Sequence, residues 1–344
     1  MGKLFIAYAK LFRLSGLAGL SMAPVFGALS LIHLGITINL FTIFLIFLIG
    51  ILKSIFGFVQ NDIFDIEVDR MSEEPDKRPL VSGVITKKIA VIICIICALG
   101  AFSIAFIFFY KNHFSFYFAV LSLALAAIFG SIYNMYGKKF ASSPFIAALA
   151  DALLVLLGAY LVSPNGNLSI FTWVIFILVY NQFLFMTIIT GGLKDADHDY
   201  LMNVKNIAIL TGVKITKDKK LFIPISFKIL GLIIRFTSAF IIFLPFILYR
   251  AYFELWGIIL LSIFVVLVLY LSINLLNMKT LDNKKEIIKY FAIQGVLRYS
   301  LIPILIVPLI GIIYAFILII FPLIWYFAVI LISGKDIAPN LQSF

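Results

Sequence analysis

Residues 40–69 read LFTIFLIFLIGILKSIFGFVQNDIFDIEVD, and the stretch changes character once along its length. Through position 58 it is apolar on every side, with Lys53 as its one charge. A run that spares no polar face suits the ~30 Å hydrocarbon core of a bilayer rather than the surface of a soluble domain. Immediately afterwards Asp62, Asp65, Glu67 and Asp69 arrive together. The pattern predicts a transmembrane helix that leaves the bilayer carrying carboxylates at its end.

The rest of the chain repeats the first half of that pattern. Of 344 residues, 63% are hydrophobic and only 12% charged, with a mean hydropathy of +1.15, which excludes an ordinary soluble enzyme. Apolar runs at 14–33, 40–58, 89–109, 114–133, 144–162, 170–189, 230–248, 252–276 and 301–332 predict about nine spans. The last is too long for one upright crossing and is expected to tilt, to break near Pro308 or Pro322, or to fold into two passes. No long polar linker or composition swap divides the chain, so residues 1–344 read as one all-α integral membrane domain, its helices bundled around a central cavity. The polar loops are expected at 59–88 and 190–221.

The net charge of +11 is read as loops facing anionic headgroups and an anionic substrate, not as a nucleic-acid surface. Alternate loops hold 21 lysines and arginines, against Lys111 and Arg250 on the other side. That asymmetry predicts a multi-pass cell-membrane protein with the N-terminus and both acidic loops in the cytoplasm. Cys94 and Cys97 form a CxxC inside an apolar run, where they read as small core residues, because a redox or zinc pair would lack water and further ligands there.

If the second helix continues past residue 58, Asp62, Asp65 and Asp69 share one face, with Asn61 alongside Asp65. Carboxylates on one stripe repel, and a divalent cation relieves that repulsion. Hard oxygen ligands of this kind suit Mg²⁺, which usually bridges to substrate phosphates. The second cluster, Lys194-Asp195-Ala196-Asp197-His198-Asp199, follows the sixth run; Asp195 and Asp199 share a helical face and Asp197 points away. Four crossings separate the clusters, so both lie on the same side of the membrane. Either run alone reads as a solvated loop end. Two together, in a charge-poor chain, read as a two-sided metal and diphosphate site, with Arg70, Lys77, Arg78 and Lys194 placed to neutralise phosphate charge.

These residues resemble the UbiA superfamily of intramembrane prenyltransferases. Asn61–Asp69 matches its NDxxDxxxD signature, and Pro75-Asp76-Lys77-Arg78-Pro79-Leu80-Val81-Ser82-Gly83 is similar to the Arg-Pro and Ser-Gly stretch that follows. Lys194–Asp199 with Gly212 is similar to its second motif, and Tyr133-Asn134 with Lys138 and Lys139 to the tyrosine and basic residues after its fourth span. The resemblance implies Mg²⁺-dependent transfer of an isoprenyl group, with Mn²⁺ able to substitute. Asn61, Asp62, Asp65, Asp69, Asp195 and Asp199 would hold metal and diphosphate, with Asp62, Asp65, Asp195 and Asp199 catalytic, while Tyr133, Lys138 and Lys139 would bind substrate. The implied partners are an isoprenyl diphosphate donor, a lipid or aromatic acceptor and membrane lipids, with no protein partner. The spacing of Asn61 through Gly83 looks closest to members acting on archaeal ether-lipid precursors, with geranylgeranyl diphosphate as donor and geranylgeranylglyceryl phosphate as acceptor. Quinone-forming members, acting on hydroxybenzoate, dihydroxynaphthoate or homogentisate, are the alternative. A haem-modifying farnesyltransferase fits less well, because its Met-x-Arg-Thr stretch does not follow Asp69. The family's usual glycine and threonine are replaced by Val204 and Asn206, and Ser142-Ser143-Pro144 departs from its pattern after the basic pair.

Charged and polar residues inside runs are also candidates. Lys53 and Asp151 are expected either to pair or to line an acceptor pocket, and Asn181 and Gln182 to bond a neighbouring helix. A function of another class, an ion-coupled transporter, would favour carboxylates at the bilayer midplane, whereas these lie at span ends. A CDP-alcohol phosphatidyltransferase would need Asp-Gly and Ala-Arg steps that neither motif has.

Overall fold

The computed structural model describes residues 2–70, 78–111, 113–137, 139–194, 205–215, 220–248, 254–278 and 284–333. Its elements are helical throughout, apart from one pair of two-residue strands. The chain starts with α1 (Lys3–Leu11), α2 (Leu17–Leu20) and α3 (Ala23–Leu29), the last extended by a 3₁₀ turn. Long helices follow: α4 (Leu40–Phe64), a short α5 (Ile66–Asp69), α6 (Lys87–Phe109), α7 (Phe114–Tyr136), α8 (Ser143–Val162) and α9 (Ile170–Leu184). A π-helical segment, Phe185–Gly191, joins α9 to α10 (Gly192–Lys194). After α11 (Ile207–Thr211), strands β1 (Lys214–Ile215) and β2 (Leu221–Phe222) pair antiparallel. The chain continues as α12 (Ile225–Ile241), α13 (Leu244–Leu248), α14 (Leu255–Leu276), α15 (Lys284–Leu305), α16 (Val307–Ile310) and α17 (Ile312–Ser333).

Eight of these helical segments are long and apolar enough to cross a membrane among the described residues, and Ala23–Leu34 and Ala292–Leu305 are shorter apolar helices. The expected nine runs are therefore ten apolar segments. The run at 301–332 breaks between α15 and α17, at Ile306–Gly311, where Gly311 adopts φ 84°. Pro322 sits inside α17 instead of ending it. The run at 14–33 is also interrupted. Arg13 has φ 48°, an uncommon value for a residue with a side chain, and the chain re-enters helix only at α2 and α3. At this break the backbone carbonyl of Leu14 accepts from Trp325 Nε1 of α17 at 2.7 Å, in addition to a longer bond from the Leu17 amide at 3.4 Å.

Helix starts are capped by polar side chains at the ends of otherwise apolar segments. Asn39 accepts from the Thr42 amide, Thr86 from Ile89 and Ser169 from Phe171. Packing inside the bundle relies on small residues. A Cβ on Gly27 would collide with the Val155 carbonyl, and one on Gly158 with the Pro24 carbonyl, so α3 and α8 lie backbone against backbone. Lys53 of α4 and Asp151 of α8 form an ion pair, the structural one of the two expected roles. Cys94 and Cys97 are free and buried, as small core residues.

Candidate active site at the ends of the second and sixth spans

α4 has 25 residues, so at 1.5 Å per residue it is about 37 Å long, more than a ~30 Å hydrocarbon core needs. The surplus is the motif end. The first motif is therefore helical through Phe64 and not the loop expected to begin at residue 59. The helix then kinks: Asp65 takes φ −90° and ψ 2°, and the chain resumes as α5. The Asp69 amide still donates to the Asp65 carbonyl at 2.8 Å, so the helical spacing of the aspartates survives the kink.

Asp62 is buried, while Asn61, Asp65 and Asp69 are half-buried beside it. A carboxylate in that position needs a cation, and in the structure Arg13 supplies one. Its guanidinium lies 3.6 Å from Asp62 Oδ1, donates to Asn61 Oδ1 at 3.2 Å and rests over the Phe58 ring at 4.8 Å from its centroid. Asp69 is paired with Arg78 at 3.6 Å. Asp62 is within electrostatic reach of Arg13, Asp69, Arg78 and Asp65. Arg70 instead pairs with Glu67 at 3.1 Å on the exposed side of α5.

α7, the fourth apolar segment, is tied to this end of α4. Asn134 Nδ2 donates to the Gly57 carbonyl and to Gln60 Oε1, both at 3.0 Å, which brings the Tyr133-Asn134 pair beside the first motif. Lys139 is exposed over the Tyr136 ring. The sixth span ends in the π-helical segment and α10, leaving Lys194 exposed at its tip. A π-helical turn widens the helix and is often found where function needs it. Gly192 lets α11 fold back onto α10, since a Cβ there would come within 2.7 Å of the Ala208 Cβ. Lys77, Lys138, Asp195 and Asp199 lie outside the described residues.

The residues present fit a hard divalent cation. Their donors are carboxylates and an amide oxygen, and a positive group already occupies the Asp62 position. Among the described residues no three His, Cys, Asp or Glu side chains stand close enough to cage an ion.

Six residues along the chain from Arg13, Gly19 begins the wall of an apolar cavity that also includes Ala23, Phe26, Phe183 and Tyr299. Gln182 lines this cavity, and Asn181 next to it donates to Ser238 Oγ at 3.1 Å. The cavity lies between the first, sixth and ninth apolar segments.

With the geometry in place, comparison with known proteins gives a consistent picture. Residues 21–293 match the UbiA prenyltransferase family. The chain belongs to that family. Among curated proteins it is 27% identical over 251 residues to the digeranylgeranylglyceryl phosphate synthase of Sulfurisphaera tokodaii, covering 71% of this chain and 80% of that one. It is 28% identical over 183 residues to the protoheme IX farnesyltransferase of Protochlamydia amoebophila, covering 52% of this chain and 61% of that one. Among solved structures, one of digeranylgeranylglyceryl phosphate synthase superposes with TM-score 0.65 at 21% identity, over 90% of this chain and all of that one. A UbiA homologue from Archaeoglobus fulgidus, bound to GPP and Mg²⁺, superposes with TM-score 0.61 at 17% identity, over 88% of this chain and 99% of that one. At these identities the superpositions establish a shared fold.

Sequence reasoning missed Arg13, which it counted only among the basic N-terminal residues. The available signal was its place just before Leu14-Ser15-Gly16, where serine and glycine weaken helix at the start of the first apolar run. It also passed over Arg235, inside the seventh run, and assigned Arg298 to a loop. The structure buries both.

Proposed function

We propose that this membrane enzyme transfers a geranylgeranyl group from its diphosphate to the hydroxyl of geranylgeranylglyceryl phosphate. The observation that carries the reading is Asp62, buried at the motif end of α4 with Arg13, Asp69 and Arg78 around it. The acceptor assignment is supported by the curated relative that this chain covers more fully, a digeranylgeranylglyceryl phosphate synthase, whereas the farnesyltransferase match reaches a smaller part of both chains.

In this reading Asn61, Asp62, Asp65 and Asp69, with Asp195 and Asp199, hold Mg²⁺, which supplies charge neutralisation of the diphosphate when bound. Arg78, Lys194, Lys77, Lys138 and Lys139, with Tyr133 and Arg70, take up the remaining negative charge. The allylic C–O bond breaks, and its electron pair leaves with the diphosphate. Phe26, Phe183 and Tyr299 line a small apolar cavity of about 50 Å³, which a prenyl chain would have to widen to enter, and aromatic faces stabilise an allylic cation. The acceptor oxygen then bonds to that carbon and releases its proton to water. The excess of lysine and arginine on the motif side supports a cytoplasmic location for this chemistry.

Purified protein given Mg²⁺, labelled geranylgeranyl diphosphate and a panel of acceptors tests the proposal. Diphosphate release with geranylgeranylglyceryl phosphate, and a product of the summed mass, is the expected result. Turnover only with an aromatic acceptor would overturn the acceptor assignment, and no turnover with any prenyl diphosphate would overturn the reaction.

A further inference from the structure

Away from this site, two arginines are enclosed within the bundle. Arg235 of α12 and Arg298 of α15 are each 4% exposed. Arg235 Nε donates to Ser272 Oγ of α14 at 3.0 Å, and Gln294 Nε2 of α15 donates to the same oxygen at 2.8 Å. Arg298 Nε donates to the Gln294 carbonyl at 3.1 Å. Both guanidinium groups face the ring of Phe185, at 3.4 and 5.9 Å from its centroid, at the start of the π-helical segment. Among the described residues Arg235 Nη2, Arg298 Nη1 and Gln294 Oε1 find no hydrogen-bond partner, and all three atoms are shut off from solvent.

Among the described side chains the segments packed against this cluster offer no counter-charge, and Glu286 of α15 lies eight residues before Gln294. Residues 170–194, 225–248, 255–276 and 292–305 contain no aspartate or glutamate. Arginine keeps its proton even when buried, so the like charges cannot be removed by titration. Two guanidinium groups in a low-dielectric interior cost several kcal/mol each unless an anion accompanies them. The Phe185 ring and three hydrogen bonds recover part of that cost but bring no negative charge. Water can fill the unmet donors, yet it leaves the double positive charge uncompensated.

We propose that Arg235 and Arg298, with Gln294 and Ser272, form an enclosed binding site for a compact inorganic anion of chloride size. The free Nη donors have no accessible surface, which excludes the phosphate of a lipid headgroup reaching in from the membrane. The site is independent of the transfer reaction, and two of its residues, Gln294 and Arg298, fall just past the 21–293 segment that matches the family. An anion here would brace α12, α14 and α15 against the sixth span where that span widens toward Lys194.

The test uses the full chain in detergent, exchanged into chloride-free sodium gluconate, and follows thermal unfolding as chloride or bromide replaces gluconate at constant ionic strength. A saturable rise in Tm of roughly 2–4 °C is expected, together with anomalous scattering from one bromide between the two guanidinium groups in crystals. The double variant Arg235→Met/Arg298→Met removes both charges at similar volume and should show no halide dependence. If that variant does not fold, the bromide position in the unaltered protein still decides. Equal Tm in gluconate and chloride with no bromide peak would overturn the proposal, leaving water as the occupant. Stabilisation by inorganic phosphate but not by halide would overturn it as well.

Discussion

Replacing Asp62 by Asn separates the chemical role of this residue from its structural one, because the geometry assigns very different magnitudes to the two. The substitution keeps the shape of the side chain and removes its charge. Structurally little depends on that charge. Arg13 lies 3.6 Å away with 42% of its side chain exposed, against 11% for Asp62, and losing the carboxylate also removes the cost of burying it, so the net change is about 1 kcal/mol. Arg13 also keeps Asn61 and the Phe58 ring as partners. The variant should therefore fold, with Tm lowered by at most about 2–4 °C. Chemically the charge is central if Asp62 holds Mg²⁺ and thereby the diphosphate. Losing one preorganised charge contact of that kind costs on the order of 10²-fold in turnover or more, which is about 2.7 kcal/mol of transition-state stabilisation. Diphosphate release by purified wild-type and Asp62→Asn protein, with monodispersity and Tm measured in parallel, reads both quantities. Turnover within about threefold of wild type in a folded variant would refute the metal-ligand role.

Exhaustive chelation of divalent ions should abolish diphosphate release, and Mg²⁺ or Mn²⁺ should restore it; activity that survives chelation would contradict the proposed site. For the Lys53–Asp151 pair, Lys53→Met or Asp151→Leu alone should lower stability by roughly 2–4 kcal/mol, because each strands a part-buried charge inside the bundle, while the double variant should recover most of the loss. A thermal-unfolding double-mutant cycle in detergent checks this, and additive losses would show that the two side chains do not act as a pair. Gly158→Ala should cost about 1–3 kcal/mol or prevent folding, since its methyl would meet the Pro24 carbonyl and force α3 away from α8. An unchanged melting profile would refute that close approach.

Much of this protein follows from local composition. Long apolar runs must become helices in a bilayer, because each backbone polar group has to find its partner within its own segment. An unpaired carboxylate is costly in hydrocarbon, so Asp62, Asp65 and Asp69 mark where the second span ends. The apolar runs therefore determined the class of fold, and the spacing of Asn61 through Asp69 the expectation of a metal and diphosphate site. Tertiary structure decided what lies across from those residues. Whether Arg13 lies on a straight helix or on a break that swings it over Asp62 depends on contacts with α4 and α17, nearly 50 and over 300 residues away in sequence. The same holds for Arg235 and Arg298, whose shared enclosure depends on how α9, α12, α14 and α15 pack, and for Gly27 and Gly158, whose need for a bare Cα exists only once α3 meets α8. Periodicity and hydropathy report the environment of one segment at a time, whereas these features arise from the distances between segments.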